Sequence, residues 1–591
     1  MTRALAHRGP DGESHWINEK GTAGFGHRRL SIIDRSANAA QPMHYLSRYT
    51  IIHNGEIYNY KELKEDLVKQ GYSFQSQSDT EVILAAYDRY KTECLQHFDG
   101  MFAFAIWDEQ EQQLFAARDR FGEKPFFYAF HNGQLFFASE MKALWAAGIE
   151  KKTNEKMYFN YLTLGYTQNP FNPQETFYAS ITKLPARSFL TYHAAQKSLN
   201  IKEYWRIDKS HTTQPVSEQE AIARFSQLLT TSVKRRLRAD VPLGTSLSGG
   251  LDSSSILQLV HGLSEQTQKT FSAGFPGFAK DESIYIQLVA EANEAENFMV
   301  YPSAESMLKN LETVCFQQEE PFQSASLLAQ YEVFELAKQQ QVTVLLDGQG
   351  ADELLAGYPK YFHWYWQELY RTNKSLLQQE IKAVKQIEVP EKWDWKNKLS
   401  ALFPAIATGY LKRTKASHQR SHPDLTKSFV NSFGSSYYTI PAGTSLSNVL
   451  YYNTFTNGLE ELLRYADRNS MAHGREVRLP FLYHELAEFI FSLPSSYKIR
   501  EGWTKWILRK SMDNRLPNEI TWRRSKVGFE PPQQQWMQNT AVQECIQEAK
   551  RVLVNKDILN RPVLDKKIQP HDAHAADNCD WKYLVAGTLL R

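Results

Sequence analysis

Cysteine is scarce in this sequence, and long apolar runs are absent. The four cysteines lack the spacing of a zinc site or a disulfide framework; they are Cys94, Cys315, Cys545 and Cys579. No apolar stretch approaches the roughly 18 to 20 residues that a membrane-spanning helix needs. Residues 1–8 also lack the apolar core of a secretory signal. These absences predict a cytoplasmic protein in a reducing compartment.

The sequence also lacks an excess of charge of one sign. Its 68 Lys and Arg residues nearly balance its 66 Asp and Glu residues, which leaves a net charge of +2. A balance this close gives no global attraction to nucleic acid or to an anionic membrane, so we expect neither as a partner. The 591 residues are too many for one core and predict about two to four domains.

Residues 1–205 alternate short strands with Gly and Asn turns, and two helices interrupt them. A sheet with segregated helices predicts an α+β domain. Its helices are predicted at 60–70 and from Asp79 onward. Its strands are predicted at 49–53, 101–107, 114–117 and 135–138. The polar stretch 208–217 is the predicted linker.

Residues 216–591 show longer helices between short apolar strands at 241–247, 270–275 and 342–346. A turn and a helix follow each strand, which predicts an α/β domain with a parallel sheet and helical additions. An aromatic and basic insertion occupies residues 360–435. Such a stretch could bind nucleic acid, but the balanced charge favours aromatic side chains packed in a helical core with solvated basic residues outside.

A loop of two glycines and three serines separates the strand at 241–247 from a helix that begins near Asp252; it reads Ser248-Gly249-Gly250-Leu251-Asp252-Ser253-Ser254. Adjacent glycines let the backbone approach a phosphate, and the amides of the first helical turn can bind an anion. The spacing and lysine of a Walker loop are absent. The loop therefore predicts an enzyme that splits ATP into AMP and pyrophosphate, with a plain Gly-Gly turn as the alternative.

Residues 346–353 place further glycines and carboxylates at the end of another buried strand. Ligands bind at these strand ends in open α/β sheets. Asp252 and Asp352 are therefore the predicted pair for Mg²⁺, which takes one or two carboxylates plus phosphate oxygens and water. Lys505 would supply a cation where charge develops during acyl transfer; a surface lysine is the alternative. The many charges of 467–478 are unusual for a buried helix and turn.

Together these motifs resemble the class B, glutamine-hydrolysing asparagine synthetases over nearly the whole chain. The resemblance implies an N-terminal-nucleophile type of glutaminase sandwich over 1–205, and an ATP-pyrophosphatase domain over 216–591. It implies amidation of aspartate through an acyl-adenylate, with Lys505 stabilising the anionic tetrahedral intermediate and Asp252 and Asp352 holding Mg²⁺. The implied ATP-binding residues are Leu247, Ser248, Gly249, Gly250, Asp252, Ser253, Ser254, Ala273, Asp347 and Gly348.

The resemblance also implies a glutamine site in the first domain. Arg29 would bind the α-carboxylate of glutamine with a guanidinium suited to bidentate contact. The Asn54 side chain and the Gly55 backbone N–H would form the oxyanion hole. Glu56 and Asp79 would bind the α-ammonium group. A helix N-cap is the alternative role of Asp79.

The nucleophile of such a glutaminase is an N-terminal cysteine, and no cysteine precedes Cys94. Thr2 could become an N-terminal nucleophile, but it lies only five residues before His7, where the resembled family has a strand and a helix. We therefore expect a trimmed or mis-assigned start, rather than an enzyme of free ammonia only. The lost strand would leave unpaired sheet edges. The 591-residue form is expected to hydrolyse glutamine negligibly.

Two positions bear on the acceptor. Gln349 stands where many of these enzymes have glutamate, and a neutral amide cannot take a proton from ammonia. Tyr483 stands where aspartate is usual. Aspartate remains the predicted acceptor, with glutamine or ammonia and ATP as the other small-molecule partners, and a homodimer is left open. The alternatives are amidation of another carboxylate such as a sugar uronic acid, a tRNA-modifying ATP pyrophosphatase, and a non-catalytic binding module.

Overall fold

The computed structural model describes residues 1–208, 217–434, 438–441, 445–524 and 528–591. Most of the predicted linker at 208–217 lies outside these residues. The strands of the first part are β1 Gly12–Ile17, β2 Gly24–Arg29, β3 Met43–Tyr45, β4 Tyr49–Ile57, β5 Gly100–Asp108, β6 Gln113–Arg118, β7 Phe127–His131, β8 Gln134–Ala138, β9 Thr182–Lys183, β10 Ser188–His193 and β11 Ser198–Glu203. Its helices are α1 Tyr60–Lys69, α2 Asp79–Tyr90, α3 Cys94–His97, α4 Met141–Trp145 and α5 Glu155–Leu164.

The centre of this part is an antiparallel sheet in the order β11-β10-β6-β5-β4-β3. Successive side chains of β5 point to opposite faces of this sheet, as in any β-strand. Phe102, Phe104 and Ile106 pack with the apolar residues of α2 on one face. Ala103 and Trp107 pack on the other face, against residues of β2 and β7. The result is a helix layer over two stacked sheets.

The second sheet layer consists of two separate pieces, β1-β2 and β8-β7-β9. Within the described residues, β2 pairs only with β1, and β8 pairs only with β7. Every residue of β2 and β8 lines one cavity of about 750 Å³. Since neighbouring residues of a strand point to opposite faces, the edges of both strands face this cavity. Within the described residues, one edge of each of these two strands is therefore unpaired.

The second part is built on a parallel sheet. Its strands are β12 Leu243–Ser246, β13 Lys269–Ala273, β14 Glu296–Val300, β15 Val344–Leu346 and β16 Glu476–Arg478, and a short hairpin adds β17 Ile499–Arg500 and β18 Trp503–Thr504. The order β14-β13-β12-β15-β16 reverses direction between β12 and β15, which makes that gap the topological switch point. The predicted strands at 241–247, 270–275 and 342–346 are confirmed with shifted ends.

Helices pack against this sheet and make up most of the remaining described residues of the second part. They are α6 Glu218–Arg236, α7 Leu251–His261, α8 Ser283–Ala292, α9 Ala304–Gln318, α10 Ser326–Gln339, α11 Ala351–Leu354, α12 Tyr361–Thr372, α13 Lys374–Gln386, α14 Trp395–Leu402, α15 Pro404–Arg420, α16 Lys427–Phe433, α17 Leu446–Phe455, α18 Leu459–Ala472, α19 His484–Ser492, α20 Trp506–Met512, α21 Asn518–Thr521, α22 Gln533–Trp536, α23 Thr540–Asn555 and α24 Cys579–Leu589. In the described part of the chain, no helix has the length and apolarity needed to cross a bilayer.

The aromatic insertion divides into two kinds of helix. Tyr361, Phe362, Tyr365 and Trp366 of α12 are buried, which confirms the predicted helical core. The same prediction is wrong for α14 and α15, where large apolar side chains are exposed. Burial in α12 follows from its packing against α13, α14 and α17, whereas α15 has few neighbours.

Candidate active sites

The glycine-serine loop joins β12 to α7. Gly249 has a φ of +72°, and a Cβ there would lie 2.9 Å from the backbone nitrogen of Ile286, so only glycine fits without strain. Gly250 is the N-cap of α7 in extended conformation. The turn and the first amides of α7 therefore have the predicted arrangement of an anion-binding loop.

The serines of this loop are preorganised. The Ser253 hydroxyl accepts a hydrogen bond from the Ser248 backbone N–H at 3.2 Å, and the two hydroxyl oxygens lie 3.1 Å apart. Ser254 is fully buried, and its hydroxyl has no hydrogen-bond partner among the described residues. A buried hydroxyl without a partner is costly, so this group is suited to binding a ligand oxygen.

The loop after β15 lies against the start of α7. A Cβ on Gly348 would lie 2.8 Å from the Asp252 Cβ and 2.8 Å from the Ser253 nitrogen. The Asp347 carboxylate accepts a hydrogen bond from the Gln349 backbone N–H at 3.0 Å, and burial raises the pKa of Asp347. The structure therefore brings the two predicted loops together at the switch point.

Lys505 lies between the two predicted metal-binding carboxylates. Its Nζ is 2.5 Å from Asp252 Oδ2 and 2.6 Å from Asp352 Oδ1, and its side chain is 5% exposed. Burial lowers the pKa of this ammonium group, but the two carboxylates outweigh burial and hold the pKa above its ordinary value. The surface-lysine alternative is thus wrong, because Lys505 is buried and paired.

The two carboxylates can share one cation, as their common contact with Lys505 shows. The described residues contain no group of three or more His, Cys, Asp or Glu side chains arranged for a metal. Two carboxylates suit Mg²⁺, which keeps several waters and takes its remaining ligands from phosphate oxygens. Asp252 and Asp352 therefore fit the ion, provided that Lys505 releases them.

Gly357 belongs to this cluster although the sequence did not single it out. A Cβ at Gly357 would overlap Asp352 Oδ1 and Lys505 Cε. No motif pointed to it, because the close approach arises only when the segment after α11 meets the start of α20, where the Lys505 N–H donates to the Leu355 carbonyl.

Gly357→Ala is expected to displace Lys505 and Asp352, and to lower ammonia-dependent AMP formation by about tenfold or more, since misplacement by about 1 Å can cost about 10² in rate. Steady-state assays of the folded variant measure this effect. Gly409→Ala is the matched control, because a Cβ there would meet nothing within 4 Å. Equal rates for both variants would contradict the role of Gly357.

The predicted glutamine-binding residues all line the cavity of about 750 Å³ described above; they are Arg29, Asn54, Gly55, Glu56 and Asp79. They come from the end of β2, the middle of β4 and the start of α2. Gly55 has a φ of +132°, and a Cβ there would overlap the Met101 carbonyl oxygen. The sequence-predicted set is therefore brought together.

The polar groups of this cavity are held by the backbone. Arg29 donates to the Ser36 carbonyl at 2.9 Å and to the Asp34 carbonyl at 2.5 Å. Asp79 accepts from the Ile57 N–H at 2.8 Å, and burial raises the pKa of its carboxyl to about 6. The N-cap of α2 is Ser78, not Asp79, so the alternative role of Asp79 as the cap is wrong.

Glu56 connects this cavity to the parallel sheet. Its Oε1 lies 3.5 Å from Nη2 of Arg478 on β16, and its Oε2 has no hydrogen-bond partner among the described residues. Burial and then the nearby Asp79 carboxylate raise the pKa of Glu56 well above its ordinary value. Glu476 of β16 also lines the cavity. The charged segment noted in the sequence thus lies where this cavity meets the parallel sheet.

Residues that could act as a nucleophile occupy two different environments. Cys94 is buried in the core beside α2, where burial raises the pKa of its thiol, and it does not line the cavity. Thr2 does line the cavity, and its hydroxyl donates to Glu13 at 2.7 Å and lies 2.9 Å from His15 Nε2.

Comparison with known proteins identifies the family of both parts of the chain. Residues 224–588 match the asparagine synthase family, and residues 1–205 match the glutamine amidotransferase domain. Asparagine synthetase [glutamine-hydrolyzing] 1 of Bacillus subtilis is 32% identical over 602 residues, covering 99% of this chain and 92% of that protein. Asparagine synthetase [glutamine-hydrolyzing] 3 of the same organism is 30% identical, covering 89% and 82%. The predicted two-domain architecture is confirmed, and the chain belongs to the asparagine synthase family.

Proposed function

We propose that this protein amidates L-aspartate to L-asparagine through a β-aspartyl-AMP intermediate, with nitrogen from glutamine or ammonia. The observation that carries the proposal is the Lys505, Asp252 and Asp352 cluster beside the Ser248–Ser254 loop, at the switch point of the parallel sheet. The relatives of known name support aspartate as the substrate class.

The first half-reaction makes the carboxylate reactive. The aspartate β-carboxylate attacks the α-phosphorus of ATP, and pyrophosphate leaves. The hydroxyls and amides of the Ser248–Ser254 loop bind the departing pyrophosphate. Asp252 and Asp352 would hold Mg²⁺, which neutralises phosphate charge when bound. Leu247, Ala273, Asp347 and Gly348, at or just beyond the strand ends, would bind the nucleoside.

The second half-reaction transfers nitrogen. Ammonia adds to the acyl carbon, a proton leaves the nitrogen, and AMP departs as the tetrahedral intermediate collapses. We assign Lys505 to stabilising the anionic intermediate. Since its ammonium now lies on Asp252 and Asp352, Lys505 has to leave these carboxylates when it moves to the reacting oxygen.

The glutamine site would bind the nitrogen donor. We assign Arg29 to the α-carboxylate, and Asp79 with Glu56 to the α-ammonium. Asn54 Nδ2 and the Gly55 N–H are the donors for the oxyanion. All five line one cavity, and Arg478 joins this cavity to the synthase sheet.

Two residues bear on the acceptor. Gln349 has no carboxylate to take a proton from ammonia, which favours testing sugar uronic acids as a second acceptor class. Tyr483 is less relevant to the acceptor, because it is buried and its hydroxyl accepts a hydrogen bond from Arg235 at 3.2 Å.

An assay with ammonia, ATP-Mg²⁺ and a panel of carboxylates tests the proposal through AMP and pyrophosphate. AMP release that depends on aspartate is the expected result. Release that depends on a uronic acid instead would move the function to the second acceptor class. ADP release would overturn the mechanism, and the absence of pyrophosphate exchange with every carboxylate would indicate a binding module.

Glutamine affinity is expected to fall as the pH is lowered through about 6. The Asp79 carboxyl, with a pKa of about 6, pairs with the α-ammonium only when ionised. Affinity should therefore drop about tenfold per pH unit below that value. His27 and His53 in the same cavity have pKa values lowered to about 4 and about 3, so they stay neutral across this range.

Isothermal titration with glutamine between pH 5 and 8 measures this dependence. Glu56 also faces Asp79 and has a raised pKa, so the Asp79→Asn variant is needed to isolate the step near pH 6. Asp79→Asn should bind glutamine weakly at every pH in the range. A flat affinity profile in the parent protein would contradict the role of Asp79.

A further inference from the structure

Large apolar side chains are concentrated on the surface of α14 and α15. Seven such residues lie within 17 positions, and their exposed fractions run from 42% to 70%. We call them the apolar face of α14 and α15; they are Trp395, Leu399, Leu402, Phe403, Ile406, Tyr410 and Leu411. Isolated exposed apolar residues are ordinary, but a contiguous group marks an interaction site.

The spacing places most of these side chains on one side of each helix; the exception is Leu411, which lies about 100° round α15 from Tyr410. Trp395, Leu399 and Leu402 follow each other at i, i+4 and i+7, which is one face of α14. The buried residue of α14, Ala401, lies on the other side. In α15, Ile406 and Tyr410 lie at i and i+4, while its buried residue, Gln419, points the opposite way.

The charge of this segment is of one sign. Residues 395–420 contain six Lys or Arg residues and no Asp or Glu, although the whole chain carries a net charge of only +2. Lys396 and Lys398 lie on opposite flanks of the α14 stripe, because successive helical residues are about 100° apart. The basic side chains are exposed, and none forms an ion pair within the described residues; they are Lys396, Lys398, Lys412, Arg413, Lys415 and Arg420.

The helix α15 has little to hold it in place. Of its 17 residues only Gln419 is buried. A helix of this length has marginal stability in water without packing on an apolar face. The apolar face therefore needs a covering surface that the described residues do not supply.

We propose that the apolar face of α14 and α15 binds the surface of an anionic lipid bilayer. Apolar residues with a tryptophan on one side and flanking lysines and arginines are typical of helices that lie in the membrane interface. In that position Trp395 and Tyr410 reach the boundary between headgroups and acyl chains, while the flanking basic side chains contact anionic headgroups. The proposal does not depend on the proposed activity.

Other occupants fit less well. A second copy of the chain would bring two sets of six cations together, which is unfavourable without anions between them. Single-stranded nucleic acid binds by base stacking on aromatic rings, but Leu399, Leu402, Ile406 and Leu411 are aliphatic. An anionic bilayer satisfies both the apolar side chains and the cations.

Flotation of the full chain with vesicles tests the proposal. Vesicles of phosphatidylcholine with phosphatidylglycerol should bind at least about tenfold more protein than phosphatidylcholine alone, and 0.5 M salt should weaken the binding. Hydrogen exchange should slow in residues 395–420 when the vesicles are added. The dependence of binding on salt and on lipid composition separates the electrostatic contribution to vesicle binding from the apolar contribution.

Two variants test the apolar and the basic side chains of this surface separately. W395S/F403S/Y410S should lose binding to both vesicle types, and K396Q/K398Q/K412Q/R413Q should lose the preference for anionic vesicles. F171S/I284S/F316S is the matched control, because it removes three exposed apolar side chains elsewhere and should bind like the parent. Far-ultraviolet dichroism shows whether each variant is folded.

Several results would overturn the proposal. Equal binding to both vesicle types is one, and binding that W395S/F403S/Y410S retains is another. A third is a failure to bind vesicles together with a dimer, seen by analytical ultracentrifugation, that the same triple variant abolishes; this would assign the face to a second copy. Binding of a single-stranded oligonucleotide without binding of vesicles would assign it to nucleic acid.

Discussion

The Lys505→Met variant is expected to form AMP from ATP, ammonia and aspartate about 10²- to 10³-fold more slowly than the parent. Lys505 is the buried cation of the synthase site, 2.5 Å from Asp252 and 2.6 Å from Asp352. Methionine has a similar length and no charge, so the substitution removes the stabilisation of the anionic intermediate. Single-turnover measurement of AMP separates this loss from substrate binding.

The same variant gives a second readout without catalysis. Lys505 and a divalent cation compete for the same carboxylate oxygens. Lys505→Met should therefore tighten Mn²⁺ binding in the absence of nucleotide, measured by electron paramagnetic resonance, even as activity falls. Lys510→Met is the control, because Lys510 lies on the same helix in a partly exposed pair with Asp513, and such pairs contribute about 0 to 1 kcal/mol. Unchanged activity, or weaker Mn²⁺ binding, would contradict the assignment.

The loops of the synthase site were predictable because they depend on local sequence. Gly249 and Gly250 follow an apolar strand, and Gly348 and Asp352 follow another, so each loop had to lie at a strand end. The contact between Lys505 and Asp252 spans 253 residues and exists only in the folded chain. A catalytic role was predicted for Lys505 from the resemblance to a family, but this contact was not predicted.

The strand β16 was not predicted from the sequence pattern. Glu476 and Arg478 are both charged, and charged residues are seldom buried. In the structure they pair at 2.8 Å, and Arg478 also donates to the Arg236 and Arg238 carbonyls. The pairing stabilises the buried charges and permits a strand at this edge of the sheet, beside β15. Gly357 was missed for a similar reason, since only tertiary contact makes its missing Cβ matter.

The glutamine site was predictable in composition but not in its connections. Arg29, Asn54 and Asp79 were identified by motif, and the fold places them in one cavity. The contact of Glu56 with Arg478 of the other domain could not be predicted, because no local pattern specifies which surfaces of two domains meet. The contact between Arg8 and Asp467 could not be predicted either, because the two residues lie 459 positions apart in the sequence.

Arg8→Ala is expected to destabilise the contact between the two domains by about 3 to 5 kcal/mol. Arg8 is 5% exposed and donates to Asp467 at 2.8 and 3.0 Å and to Glu140 at 2.9 Å. Alanine removes the main cation from Asp467 and one of several cations around Glu140. Urea unfolding followed by tryptophan fluorescence should show the first transition at a lower urea concentration.

A control variant tests whether the loss of stability in Arg8→Ala comes from the buried ion pair. Arg3→Ala removes an exposed arginine of the same segment and should change the free energy of unfolding by less than about 0.5 kcal/mol.

The pH dependence follows from Asp467. Burial raises the pKa of Asp467, but Arg8 and its other partners outweigh burial and hold that pKa below its ordinary value. The stability that ionised Asp467 contributes is therefore present at neutral pH and is lost as the pH falls through its lowered pKa. In Arg8→Ala the pKa should rise, so protonation relieves the unpaired charge and the difference from the parent shrinks on acidification. A difference that stays constant from pH 7 to pH 4 would show that Arg8 acts by packing and not by charge.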